Sequence, residues 1–227
     1  MKYLITLILF SIFFSSTFFF SSVYAQAETN PSLIIDTVEI PWNDFNTVSR
    51  DAPIVKMNRV HEISWQITID NNLVYANPNG NAVLKIYEKD DPERFVEVGM
   101  GSQPDHKFWV AVKTQKEGYV VVHRNLERGW FPEAKIIVSY TERAGLTVNN
   151  GARIVVSNLD IGNFDFDSYS VYGMESNSDP LAVDSGSMIV EILSGDPAKN
   201  VYALFPFYLA AGIGVLVGVL FLTKKRS

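Results

Sequence analysis

The sequence predicts an all-β ectodomain, an antiparallel β-sandwich of immunoglobulin-like or cupredoxin-like outline, followed by one C-terminal transmembrane helix. Three observations predict it. Between residues 26 and 200, Val and Ile number 34 and Leu only 8. β-Branched side chains lose rotamer freedom in helices and pack well on a pleated surface. Short runs alternate apolar and polar residues, and turn residues separate them. The third observation is the uncharged run over 201–222 near the C-terminus.

The N-terminal end comes first. Lys2 precedes an apolar stretch over 3–20, and Val23 and Ala25 stand at −3 and −1 of a cleavage point before Gln26. These are the parts of a secretory signal peptide, assigned to 1–25. The β-sandwich domain is assigned to 26–193. Candidate strands are 33–40, 61–70, 82–88, 95–98, 107–113, 119–124, 135–141, 153–157, 170–172 and 188–193. In 61–70, Ile63, Trp65, Ile67 and Ile69 share one face, with Glu62, Ser64, Gln66 and Thr68 opposite. Turn signals at Asn77-Pro78-Asn79-Gly80, Glu117-Gly118 and Asn149-Asn150-Gly151 fit connections between antiparallel strands. The segment 158–187 is acidic and turn-rich. It reads either as a pair of edge strands or as a loosely ordered excursion.

A polar juxtamembrane linker follows over 194–200. Seven residues reach ~25 Å when fully extended, so the domain is expected close to the membrane. The helix over 201–223 is long enough to cross a ~30 Å hydrocarbon core. Tyr202, Phe205, Phe207 and Tyr208 lie at its outer end, and Lys224, Lys225 and Arg226 form a basic tail over 224–227. Aromatics favour the interface and basic residues the cytoplasmic side. The expected localisation is therefore the plasma membrane, single-pass, with the domain outside and the C-terminus in the cytoplasm. Ala210, Gly214 and Gly218 form a small-residue stripe on one helix face, which suits packing against other membrane-protein subunits or a second copy.

Composition excludes several functions. The chain has no cysteine, so a disulfide framework, a thiol nucleophile and cysteine-ligated zinc, iron–sulfur or blue-copper sites are out. Outside the two ends, 15 Lys+Arg face 25 Asp+Glu, a net −10. That balance argues against nucleic acid as partner. The charge is uneven: 158–200 carries −7 and 106–157 carries +4. Apart from Asn30-Pro31-Ser32, where proline blocks it, no Asn-x-Ser/Thr sequon occurs. A cysteine-free, sequon-free domain suits a prokaryotic cell envelope.

Candidate sites are few. Asp160, Asn163, Asp165 and Asp167 crowd one short stretch. In a loop, their oxygens could converge on a hard cation of the calcium type. On a strand, Asn163, Asp165 and Asp167 would share a solvated face and Phe164 and Phe166 would line the core. His61, His106 and His123, with Met57 and Met100, are scattered and match no transition-metal spacing. His61 falls on the polar side of its strand. Trp109, Trp130 and Phe131 raise sugar stacking. Trp109 lies in an alternating strand, where core is the expectation. Trp130 and Phe131 sit in a loop and are candidates for surface contact. There is no Gly-x-Ser-x-Gly elbow, His-Glu-x-x-His pair or phosphate-binding glycine loop. The expectation is a non-enzymatic interaction or structural subunit with no cofactor, although calcium is admitted. The alternative is a metal- or cofactor-carrying accessory subunit of a membrane enzyme, with calcium ahead of copper, zinc or haem.

Overall fold

Two six-stranded sheets enclose a single apolar core. The structure, a computed structural model, describes residues 34–195. The expected signal peptide (1–25), membrane helix (201–223, with Ala210, Gly214 and Gly218) and basic tail (224–227) lie outside the described residues. Among the described residues, no helix is long and apolar enough to cross a membrane.

The first sheet runs in the order β1 (Ile34–Pro41), β14 (Ser187–Ser194), β3 (Ser64–Asn71), β9 (Ile136–Thr141), β10 (Gly145–Asn149), β11 (Ile154–Leu159). The second runs β2 (Val55–His61), β12 (Phe166–Tyr172), β5 (Asn81–Glu88), β6 (Phe95–Gly101), β7 (Phe108–Thr114), β8 (Gly118–Asn125). A two-stranded ribbon pairs β13 (Val183–Ser185) with β4 (Val74–Tyr75). All pairings between these strands are antiparallel. The all-β antiparallel sandwich expected from the Val and Ile excess is what forms.

Period two places the core. On β3, Trp65, Ile67 and Ile69 are buried, and on β9 Ile136, Val138 and Tyr140 face the same way. From the other sheet come Leu84 and Ile86 on β5, Val96 and Val98 on β6, and Phe108, Val110 and Val112 on β7. Each fully buried apolar side chain of this size contributes about 1.5–3 kcal/mol. At one end Trp65 packs against Tyr140, Phe164 and Phe166, and its Nε1–H donates to the Phe164 carbonyl at 2.9 Å.

Two expectations need correction. The run 61–70 is not one strand. β2 ends at His61, the chain turns at Glu62 and Ile63, and β3 starts at Ser64. Ile63 has φ +64°, costly for a β-branched residue. Asp165 Oδ1 accepts its N–H at 3.0 Å and helps hold the turn. Uninterrupted alternation and the lack of Gly, Pro or Asn hid this turn from sequence reading. The segment 158–187 is likewise not a pair of edge strands. Its middle forms β12, an interior strand between β2 and β5, carrying buried Phe166, Val171 and Tyr172, and only its end, β13, lies in the two-stranded ribbon.

Candidate functional site

The site is built on the face of the second sheet that points away from the core. On β6 the core face carries Val96, Val98 and Met100, so Phe95, Glu97, Gly99 and Gly101 point outward. Strand register then fixes their neighbours. One row reads Tyr172, Val83, Gly99, Trp109, Arg124. The next reads Ser170, Lys85, Glu97, Ala111, Val121. A third reads Ser168, Tyr87, Phe95, Lys113, Tyr119.

Two small residues decide the geometry. Gly99 and Ala111 lie beside Glu97 in this grid, and neither has a side chain long enough to cover it. Large neighbours lean into that space. The indole of Trp109 lies over Gly99, where a Cβ would fall 2.0 Å from two of its ring carbons. Its Nε1–H donates to Glu97 Oε1 at 2.9 Å, and the Tyr119 hydroxyl donates to the same oxygen at 2.9 Å. The Tyr172 hydroxyl donates to Oε2 at 3.2 Å, and Lys85 Nζ stands 3.7 Å from it. Lys85 also lies over the rings of Phe95 and Tyr172, at 4.9 and 4.8 Å from their centroids.

Glu97 is 3% exposed. A carboxylate removed from water is costly unless it is paired and hydrogen-bonded. Here three donors and a cation occupy its acceptor sites. Burial, and then the charge of Glu97, push the hydroxyl pKa values of Tyr172 and Tyr119 well above the ordinary tyrosine range. Both hydroxyls therefore stay protonated and remain donors. The carboxylate thereby ties the rings of Trp109, Tyr119 and Tyr172 to one another.

The outer surface of this cluster is aromatic with a cationic rim. Tyr119 is 51% exposed and Trp109 half-buried. Arg124 is exposed in register with Trp109 and has no carboxylate partner among the described residues. Lys113 is in register with Tyr119 and pairs with exposed Glu93. Trp109 is thus not a core residue, as its strand suggested. In Phe108–Thr114 both faces carry apolar residues, so alternation could not choose between them. The signal for Glu97 was present: a lone acid alternating with Phe95, Gly99 and Gly101 shares their face.

The sequence-predicted acidic residues have separate partners. Asp160 Oδ1 accepts the Gly162 N–H, and Asp165 Oδ1 accepts that of Ile63. Asp167 Oδ2 pairs with Lys56 at 2.7 Å. The Asn163 carbonyl accepts from Arg94 at 2.8 Å. Among the described residues, no three His, Asp or Glu side chains gather as a metal-ligand set.

His61 is fully buried rather than on a polar face. It is stacked on Phe166 at 4.8 Å, with Nδ1 2.6 Å from Ser194 Oγ and Nε2 3.3 Å from Asp36 Oδ2. Desolvation by burial lowers its pKa from the ordinary histidine value. Ser, His and Asp do line up here, but Ser194 and His61 are both buried, which leaves a substrate no approach. The trio ties β1, β2 and β14 together. Met100 is buried in the core, accepting from Asn71 Nδ2 at 3.4 Å, while Met57 lines a small slot with Val38 and Tyr169. Trp130 is also corrected. It is 3% exposed, with Nε1–H donating to the Gly101 carbonyl at 2.9 Å, because the loop folds back onto β6. Of that pair, only Phe131, 39% exposed, presents a surface.

No family model and no curated protein matches the chain. Solved structures share its outline at low similarity. The carbohydrate-binding module CBM66 from Bacillus subtilis superposes with TM-score 0.39 at 6% identity, covering 74% of this chain and 94% of that one. A fructofuranosidase from Schwanniomyces occidentalis, complexed with fructose, gives 0.40 at 10% identity, covering 73% of this chain and 35% of the other. Congerin II with lactose and MES gives 0.38 at 9%, covering 63% and 99%. At such values the functional reading rests on this chain's own side chains.

Proposed function

We propose that this chain is a non-enzymatic binding module, an immunoglobulin- or cupredoxin-like outline widened to six strands per sheet. The helix over 201–223 holds it at the outer face of the plasma membrane. That helix packs in a membrane complex, or with a second copy, through Ala210, Gly214 and Gly218. The module binds through the outward face around Trp109 and Tyr119, and the ligand chemistry is a saccharide. A sugar ring offers an apolar face to an aromatic ring and hydroxyls to a polar rim.

One observation carries this reading: Glu97 locks the Trp109 indole over Gly99 beside the exposed Tyr119 ring. Rings held in place before binding lose little freedom on contact. Arg124 adds hydrogen-bond donors at the edge.

The test is retention of the full chain, in lipid nanodiscs, on a glycan array, with Tyr119→Ala as the comparison. Tyr119 is exposed, so its removal spares the core. The expected result is capture of defined glycans, weakened about tenfold by the substitution, equivalent to ~1.4 kcal/mol. Capture that ignores Tyr119→Ala, or no capture at all, overturns the saccharide reading. Gly214→Leu with Gly218→Leu separately tests the helix. Unchanged co-purification of other membrane proteins would remove that contact from the proposal.

A further inference from the structure

The two sheets have four edge strands, and they differ in a way the binding face does not explain. A bare edge displays unpaired backbone donors and acceptors, and charges or proline usually protect it from pairing with another chain. β1 carries Asp36, Glu39 and Pro41, and β2 carries Lys56 and Arg59. The opposite side of the sandwich, where β8 and β11 approach each other, is different. β11 has no charged residue, but it is short and its pairing with β10 is irregular. β8 is eight residues long and opens Gly-Tyr-Val-Val-Val, five residues without a charge. Tyr119, Val120 and Val121 are 51%, 39% and 45% exposed. Its register with β7 is regular over 118–121 and shifts only beyond Val121.

We propose that β8 pairs antiparallel with β8 of a second copy, joining the second sheets of the two copies into one. Charge selects both the partner and the direction. Glu117 stands immediately before the strand and Arg124 near its end. Antiparallel self-pairing brings each Glu117 towards the Arg124 of the other copy, whereas parallel pairing sets like against like. The contact is two-fold and closes on itself, so it yields a dimer rather than a fibre. The register shift beyond Val121 confines the backbone pairing to the uncharged run. About the two-fold, Val120 then stands opposite Val120 of the other copy on the core side, and Tyr119 opposite Val121 of the other copy on the outward face.

The absence of native cysteine makes the test direct. Val120→Cys and, separately, Ile35→Cys on the protected edge β1 are introduced into the full chain and oxidised in the membrane. Both positions are exposed, at 39% and 66%. The expected result is at least a tenfold greater yield of disulfide-linked dimer from Val120→Cys, which faces itself across the two-fold, than from Ile35→Cys. Val121→Cys, whose counterpart is a diagonal neighbour beyond disulfide reach, should cross-link less than Val120→Cys. Equal yields from the two edges, or no dimer from Val120→Cys, would overturn the proposal. A dimer made through the membrane helix alone gives no preference for β8 and counts against it.

Discussion

The Trp109 indole occupies the space that a side chain on Gly99 would need. The residues are direct partners across β6 and β7, so the contact is set by register. Gly99→Ala should therefore lift the ring off the sheet and weaken its hydrogen bond to Glu97. The expected cost is about 1–3 kcal/mol of stability, in the range for overpacked sites. Thermal unfolding with tryptophan emission checks it. An unchanged Tm and spectrum would mean the ring does not rest there.

Glu97→Gln removes the charge but keeps the shape. One side-chain oxygen must then serve Trp109, Tyr119 and Tyr172, and the new amide brings donors of its own. The expected loss is about 1–3 kcal/mol, the cost of leaving buried polar groups unsatisfied. Burial and Glu97 together hold the Tyr119 and Tyr172 hydroxyls above the ordinary tyrosine range, so the substitution should bring both titrations down in pH. Ultraviolet pH titration of tyrosinate reads this directly.

The buried His61 gives the fold a pH dependence with a defined sign. Its folded pKa lies below the ordinary histidine value, so the unfolded chain binds the proton more readily. Its stabilising contribution is fully present above about pH 6.5. It is lost as pH falls from there through the folded pKa. The Tm should drop between about pH 7 and 5, and His61→Gln should flatten that slope relative to the parent. A parent profile as flat as the variant's would contradict the burial described for His61.

Much of the architecture was legible in the sequence, and particular residues show where legibility ended. The Val and Ile excess and the alternation of Trp65, Ile67 and Ile69 were enough for an antiparallel sandwich, because period two states which side is wet. The Ile63 turn was invisible because its cost is offset by a hydrogen bond to Asp165, a residue remote in sequence. Trp109 was misassigned because Phe108, Val110 and Val112 offered an equally apolar alternative face. The Glu97 cluster draws on four strands, β5 through β7 and β12, together with Tyr119 of β8, and no local spacing encodes it. Trp130 misled for a simpler reason: a loop position does not stop an indole from packing back onto β6.

The acidic stretch makes a separate prediction. Asp160, Asp165 and Asp167 already satisfy partners of their own. Chelator or added calcium should leave the Tm within about 1 °C, whereas Asp165→Ala should lower stability by ~1 kcal/mol through the lost Ile63 hydrogen bond. A Tm that rises with calcium would contradict this prediction and support the ion-site expectation.

The most direct measurement follows the tryptophan side chains. The chain has four tryptophans, so a full chain labelled with 15N-tryptophan gives four indole N–H signals, assigned by substitution. A glycan captured on the array is titrated in. The predicted result is a saturable shift of the Trp109 signal, while those of buried Trp65 and Trp130 stay in place. Movement of Trp130 without Trp109, or no movement of any signal, would contradict the outward face of the second sheet as the binding surface.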